Sequence, residues 1–390
     1  MKKFYTIVLL CAAMSASAQT YVWKNGHALV EDPDSITFVK PETGAQVYDS
    51  VDNGSHFDYM YTYATTDHAG KPCVMSAVLS LPPAKKASKQ IGKMALYSHY
   101  TIMRSDEAPS AGAFDLQALG LSKGMAVVTA DYEGFGATGD RVQAYCFGEA
   151  NGRASIDALL AAREWLSKQG YTLGDSILNY GFSQGAQTSM AALKLSQTEY
   201  RGRVHFTKTI VGSGPYDLRI TFNKFLEWQT IGEPAVLPVT MVAFNELYQL
   251  GIPYGEVFQG PLASNVKSWI ISKKFNTGEF RDLVGTENIT EYLQPAYCDS
   301  TSAEMKFILG YVDRMRLTEG WTPDADTEVK MYHSLNDDLV APENSQKMYE
   351  WLVSKGAKKA VLDTSSLTGT HVESGTSFLF NVITKDLSNW

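Results

Sequence analysis

The stretch Ser176-Ile177-Leu178-Asn179-Tyr180-Gly181-Phe182-Ser183-Gln184-Gly185, running into Ala186 to Leu195, decides the fold. Its first five residues read as a buried strand, and the residues after Gly185 read as a helix. A serine at such a strand-to-helix turn must sit in strained backbone. The flanking glycines let neighbouring chain approach where a Cβ would clash. The strain lifts the hydroxyl above the sheet, and the helix N-terminus behind it favours developing negative charge. Ser183 is therefore the expected nucleophile.

Outward from this point the chain alternates. Lys93 to Ser98, Met125 to Ala130, Thr207 to Val211, Val329 to Tyr332 and Lys359 to Leu362 are short apolar runs expected as buried strands. Arg153 to Ser167 carries Ile156, Leu159, Leu160 and Trp165 at helical spacing, and Gly170 closes that helix. Strand–helix alternation implies a mostly parallel sheet with helices on both faces. The rhythm breaks over residues 218–326. Helical pieces are expected there at Phe222 to Trp228, Pro238 to Leu250 and Ser302 to Arg316, with aromatics at Phe225, Trp228, Phe244, Tyr248, Tyr254, Trp269 and Phe280. This stretch reads as an inserted helical cap, or lid, on a core of residues 47–217 and 327–390. Its aromatics are expected mostly to fill a core, with a minority facing Ser183 and setting substrate choice.

A serine hydroxyl is a weak nucleophile near neutral pH and needs a general base. In the Ser…acid…His order of a sheet with this turn, the base lies near the C-terminus. His371, in Leu367-Thr368-Gly369-Thr370-His371, is expected in a small-residue loop that folds back over the nucleophile. The acid belongs past the preceding strand, where Asp337 and Asp338 are neighbours. Adjacent side chains point in different directions, so only one can orient the imidazole, and Asp337 is favoured.

Taken in order, Ser98-His99-Tyr100-Thr101, Asp131-Tyr132-Glu133-Gly134-Phe135-Gly136, the Gly181–Gly185 turn, Gly214-Pro215-Tyr216-Asp217-Leu218, Asp337 and His371 resemble the α/β-hydrolase superfamily. Within that superfamily the chain looks close to the secreted serine esterase and secretory lipase families with a helical cap. Asp337 fits the D-x-x-V-x-P pattern of related folds through Val340 and Pro342. The resemblance implies a catalytic triad of Ser183, His371 and Asp337, with the Gln184 backbone N–H as first oxyanion donor. The family carries His-Gly-Thr where this chain has His99-Tyr100-Thr101. The second oxyanion donor is then the backbone N–H of Tyr100 or Thr101, or the Tyr100 phenol.

Gly134-Phe135-Gly136-Ala137-Thr138-Gly139 satisfies G-x-G-x-x-G, but a dinucleotide fingerprint opens directly into a helix after the first strand. Here Asp131 and Glu133 crowd the approach with negative charge, so the loop is expected to shape a wall of the active site instead. No HExxH or Walker A pattern occurs, and the mature chain's Cys73, Cys146 and Cys298 show no CxxC spacing. No metal and no cofactor are expected.

Composition agrees with a globular chain. Of 390 residues, 44% are hydrophobic and 19% charged, too apolar for disorder. The net charge of −8 offers no electrostatic footprint for nucleic acid or anionic lipid. Lys2 and Lys3, the apolar run Phe4 to Ala13, and Ala16-Ser17-Ala18 form an expected signal peptide over 1–18, cleaved before Gln19. Leu10 before Cys11 disfavours a lipid anchor. Residues 19–46 look like a β-like arm, with a turn at Lys24-Asn25-Gly26. The expectation is a secreted or periplasmic hydrolase of carboxylic esters, acting on a small-molecule, lipid or carbohydrate ester without stable membrane insertion. Two rivals remain: a prolyl-oligopeptidase-like serine peptidase, and a non-catalytic binding protein on the same fold.

Overall fold

A computed structural model describes residues 21–24, 27–30, 45–112 and 117–388. The expected signal peptide and Cys11 lie outside these residues, as does most of the arm. Of the arm, β1 (Tyr21–Lys24) and β2 (His27–Val30) pair antiparallel.

A nine-stranded sheet carries the molecule. Its members are β3 (Gln46–Asp52), β4 (Phe57–Thr66), β5 (Pro72–Leu81), β6 (Gln90–Ser98), β7 (Ala126–Ala130), β8 (Thr172–Phe182), β9 (Lys208–Gly212), β10 (Glu328–Tyr332) and β11 (Lys359–Asp363). The spatial order is β11-β10-β9-β8-β6-β7-β5-β4-β3. Strands β6 to β11 run parallel, and β5, β4 and β3 add an antiparallel extension. This is the mostly parallel sheet expected from the alternation. The six strands read from sequence are all present within it, and β3 to β5 were not among them.

Strand burial explains the pattern. All five residues of β7 and the last six of β8 are buried, as in a strand covered on both faces. Helices α1 (Gly148–Lys168) and α2 (Gln184–Ser196) pack against each other on one face, over a cluster containing Ile156, Leu159, Met190 and Met331. The other face buries Tyr97, Leu178, Tyr180 and Phe182 against Phe378 and Val382 near the C-terminus.

Between β9 and β10 the chain leaves the sheet. It forms α3 (Leu218–Trp228), α4 (Val236–Leu247), α5 (Gly260–Ser272), α6 (Thr277–Val284) and α7 (Ala303–Val312), with shorter turns between them. Local signals set these boundaries. Asp217 caps α3 through the Arg219 N–H, and Asn276 with Glu279 forms a capping box at α6. The insertion gathers its own apolar cluster, including Phe222, Phe225, Val239, Phe244, Phe280 and Ile308. Lys273 ties it to the core, donating from Nζ to the carbonyls of Gly139 (2.9 Å) and Arg141 (2.6 Å). After β10, α8 (Glu343–Ser354) leads to β11, and α9 (His371–Asn381) follows.

Candidate active site

Ser183 stands between β8 and α2 with φ 58° and ψ −125°, a conformation costly for any residue but glycine. Its N–H donates to Gly212 O on β9 (2.9 Å), which pins the turn to the sheet. The two glycines are required by proximity. A Cβ on Gly181 would lie 2.3 Å from Gly185 O, and one on Gly185 would lie 2.0 Å from Ser98 O. Both contacts are with backbone, so no side-chain rearrangement could relieve them. The turn therefore holds Ser183 rigidly at the C-terminal edge of the sheet.

His371 Nε2 lies 2.8 Å from Ser183 Oγ, and His371 Nδ1 lies 2.8 Å from Asp337 Oδ2. The imidazole is not in a loop, as the sequence suggested, but is the first residue of α9. Thr370 and Glu373 form a capping box there, and this T-x-x-E signature was legible in the sequence. The capping interactions hold the backbone on which the imidazole is mounted.

Both aspartates contact His371 and do different work. Asp337 Oδ1 accepts from the Leu339 and Val340 N–H groups, leaving Oδ2 for the ring. Asp338 Oδ1 accepts from the His371 backbone N–H at 3.0 Å. Asp338 thus holds the residue rather than the imidazole, a role the sequence reading did not foresee. A second histidine was also missed. His333 Nε2 sits 2.8 Å from Val340 O and 3.3 Å from Asp337 Oδ2, bracing the turn that carries the acid. Burial alone would push the Asp337 carboxyl upward, but the imidazoles of His371 and His333 outweigh it and hold the group well below the usual carboxylate range.

Tyr100, Thr101 and Ser183 line one pocket. Behind the first two, His99 Nδ1 lies 2.6 Å from Tyr100 O and its ring stacks on Tyr132 at 3.9 Å. Burial lowers the His99 pKa to about 4, so a neutral imidazole braces this segment. Thr101 Oγ1 lies 3.0 Å from the Tyr145 hydroxyl. Gln184 opens α2, where first-turn N–H groups have no intrahelical acceptor.

The pocket encloses about 550 Å³ and has two unlike walls. One is apolar: Phe182, Leu339, Val236 and the α9 residues Val372, Gly375 and Leu379. The other is polar and comes from the inserted helices, with Thr277, Glu233 and Arg281. Arg281 Nη1 lies 3.6 Å from Glu233 Oε2, and burial raises the Glu233 pKa. None of the seven cap aromatics singled out from sequence lines this pocket. Phe225, Phe244 and Phe280 are buried in the cap's own cluster, and Trp228, Tyr248, Tyr254 and Trp269 pack against it. Large rings supply the apolar area that a helical insertion needs to cohere, so packing claimed them.

The G-x-G-x-x-G loop is also not a wall. It is buried beneath the surface, where a Cβ on Gly136 (φ +53°) would lie 2.0 Å from Asp131 Oδ2 and Ser76 Oγ. Gly136 thus serves close packing around Asp131, and Gly134 packs against the Gln143 backbone. A larger cavity, of about 650 Å³, lies between α1 and the cap and includes neither Ser183 nor His371. Beside it, Asp67, His68 and Glu133 approach one another as metal ligands could, yet Arg141 Nη1 is 3.8 Å from each carboxylate and supplies the counter-charge. Cys73, Cys146 and Cys298 are free thiols.

A model of the secretory lipase family matches residues 114–237, from before β7 through the Gly181–Gly185 turn into the insertion. The fold is shared with the rice cell wall degrading esterase LipA from Xanthomonas oryzae, at 22% identity over 87% of this chain and 94% of that one (TM-score 0.72). A putative hydrolase from Legionella pneumophila aligns at 18% identity over 88% and 91% (TM-score 0.73). Candida antarctica lipase A aligns at 16% over 86% and 78% (TM-score 0.61). No curated protein matches the chain. The chain has the α/β-hydrolase fold and is similar over residues 114–237 to the secretory lipases, a likeness that supports carboxylic-ester hydrolysis.

Proposed function

We propose that the protein is an exported serine hydrolase that cleaves carboxylic esters through Ser183, His371 and Asp337. The observation that carries this reading is the unbroken pair of 2.8 Å contacts from Ser183 Oγ through the imidazole to Asp337 Oδ2. His371 Nε2 takes the Ser183 proton as Oγ bonds to the ester carbonyl carbon. Asp337 holds the Nδ1–H tautomer and stabilises the imidazolium. The Gln184 N–H, with a donor from the Tyr100–Thr101 segment, stabilises the oxyanion, usually the largest electrostatic contribution. The carbonyl re-forms, the alcohol leaves with the proton from His371, and a water molecule repeats the sequence on the acyl-enzyme. The sum is ester plus water giving acid plus alcohol.

Export rests on the signal-like residues 1–18 and on likeness to a secretory family. No helix among the described residues is long and apolar enough to cross a membrane. A fluorophosphonate probe tests the chemistry. Labelling should map to Ser183 and vanish in Ser183→Ala, with hydrolysis of nitrophenyl acetate and none of aminoacyl-nitroanilides. An unlabelled wild type would leave a binding protein, and anilide cleavage would make the enzyme a peptidase.

A further inference from the structure

Helix α9 carries the imidazole at its first residue and then forms the apolar wall of the same pocket. Val372, Gly375, Thr376 and Leu379 all line it, and their spacing places them along one side of the helix. Val372 is 70% exposed although its neighbours His371 and Ser374 are buried. A single exposed valine needs no explanation. An apolar strip continuous with the pocket of a reactive serine does. Gly375 is the second observation. Glycine within a helix is less favourable than alanine. A Cβ at this position would come to 3.4 Å of the Phe182 ring, and that ring lies 5.2 Å from the His371 imidazole. The glycine therefore opens a notch floored by Phe182, directly downstream of the imidazole.

We infer that this strip is the acyl groove, and that it selects saturated acyl chains of about six to ten carbons. The inference rests on the proposed ester-hydrolase reading. The opposite wall, with Glu233 and Arg281, would have to be desolvated by an alkyl chain, whereas the α9 wall gains by the contact. The reach follows from helix geometry. Gly375 is four residues past His371 and Leu379 eight, about 6 Å and about 12 Å along the axis. An extended chain advances roughly 3.8 Å per three bonds. The chain therefore passes Gly375 near its fifth carbon and leaves the groove beyond Leu379 near its tenth.

The test is the kcat/KM profile for nitrophenyl esters from acetyl to dodecanoyl, beside a parallel series of alkyl acetates. The wild type should gain about threefold to fourfold per methylene, as buried CH₂ groups do, and level off near decanoyl. In Gly375→Leu the octanoyl-to-acetyl ratio should fall at least thirtyfold, with the plateau moved to about butanoyl. Gly375→Ala, whose Cβ fits in ordinary contact, should give a smaller shift in the same direction and guards against a misfolded leucine variant. Leu379→Trp should cut the profile near octanoyl. Phe307→Ala, which removes an exposed apolar ring from α7, should leave the profile unaltered. A folded Gly375→Leu with the wild-type ratio would overturn the groove, as would a response confined to the alkyl acetates. Ester hydrolysis surviving Ser183→Ala would instead overturn the underlying reading.

Discussion

Asp337→Asn separates the two aspartates that touch His371. The Asp337 side chain has one oxygen facing two backbone N–H groups, from Leu339 (3.1 Å) and Val340 (2.8 Å), and the other facing His371 Nδ1. An amide in that space must turn its oxygen toward the two backbone donors, because the reverse orientation would oppose N–H to N–H twice. Its NH₂ then faces His371 Nδ1, and the imidazole responds by carrying its proton on Nε2. That tautomer cannot accept the proton of Ser183 Oγ. The amide also opposes the Nε2 edge of His333, 3.3 Å from the same site. Enforcing the wrong tautomer in such a triad costs about 10⁴-fold in kcat, or roughly 5 kcal/mol at 1.36 kcal/mol per decade. Asp338→Asn is different in kind. Its acceptor bonds only the His371 backbone N–H, and an amide oxygen can still accept there. Exchanging a charged for a neutral acceptor is worth about 1 kcal/mol, so kcat should fall less than tenfold. Initial rates on nitrophenyl acetate, with circular dichroism to confirm folding, decide the matter. A folded Asp337→Asn within tenfold of wild type, or a greater loss at Asp338, would refute the division of labour.

Two further predictions concern stability. Burial raises the Asp131 carboxyl to about 6, offset in part by hydrogen bonds from Ser110 and Ser76; an unfolded chain titrates near ~3.9. The folded protein therefore holds the extra proton between those values, and stability falls by about 3 kcal/mol as pH rises through that window. Asp131→Asn should roughly halve the slope of urea-unfolding free energy between pH 4 and 6, since Asp157, also raised to about 6, remains; an unchanged slope would remove Asp131 as its source. Lys273→Met strips the donor from two backbone carbonyls at the junction of cap and core, and should cost about 2–3 kcal/mol in the same assay; a loss below 0.5 kcal/mol would show that the tie is not stabilising.

The core of the fold was legible because its signals are local. Each parallel strand is a short apolar run, and the elbow announces itself through two glycines whose absent side chains admit backbone. The antiparallel strands β3 to β5 were not read, because Phe57–Thr66 and Pro72–Leu81 are long and nearly continuously buried, without the alternation that marks a half-exposed hairpin. His371 followed from its order along the chain, and Asp337 from that order together with its fit to the D-x-x-V-x-P pattern of related folds. What sequence could not supply was the direction in which side chains face. A minority of the cap aromatics, and the glycine-rich loop, were given to the pocket, whereas packing took all seven rings into or against the insertion's own cluster and set Gly136 of the loop against Asp131.

That outcome changes what the insertion contributes. A lid lined by aromatic rings would offer substrate a broad apolar surface. The insertion instead turns its singled-out aromatics into its own cluster and presents Thr277, Glu233 and Arg281 to the site with Val236 as its apolar contribution, so most of the apolar lining comes from Phe182, Leu339 and α9. On the proposed reading the same helix holds both the base and the groove, and its mounting matters twice. Asp338 connects it to the insertion: its carboxylate receives the His371 N–H, while its carbonyl receives the Gly232 N–H just before Glu233. A Cβ on Gly232 would lie 2.2 Å from that carboxylate, so the segment carrying the polar wall packs directly against the group that fixes the base. One residue, Asp338, therefore contacts both the segment that leads into Glu233 and the backbone of His371. The polar half of the pocket thus shares a support with His371, and the apolar half is built on the helix that carries it.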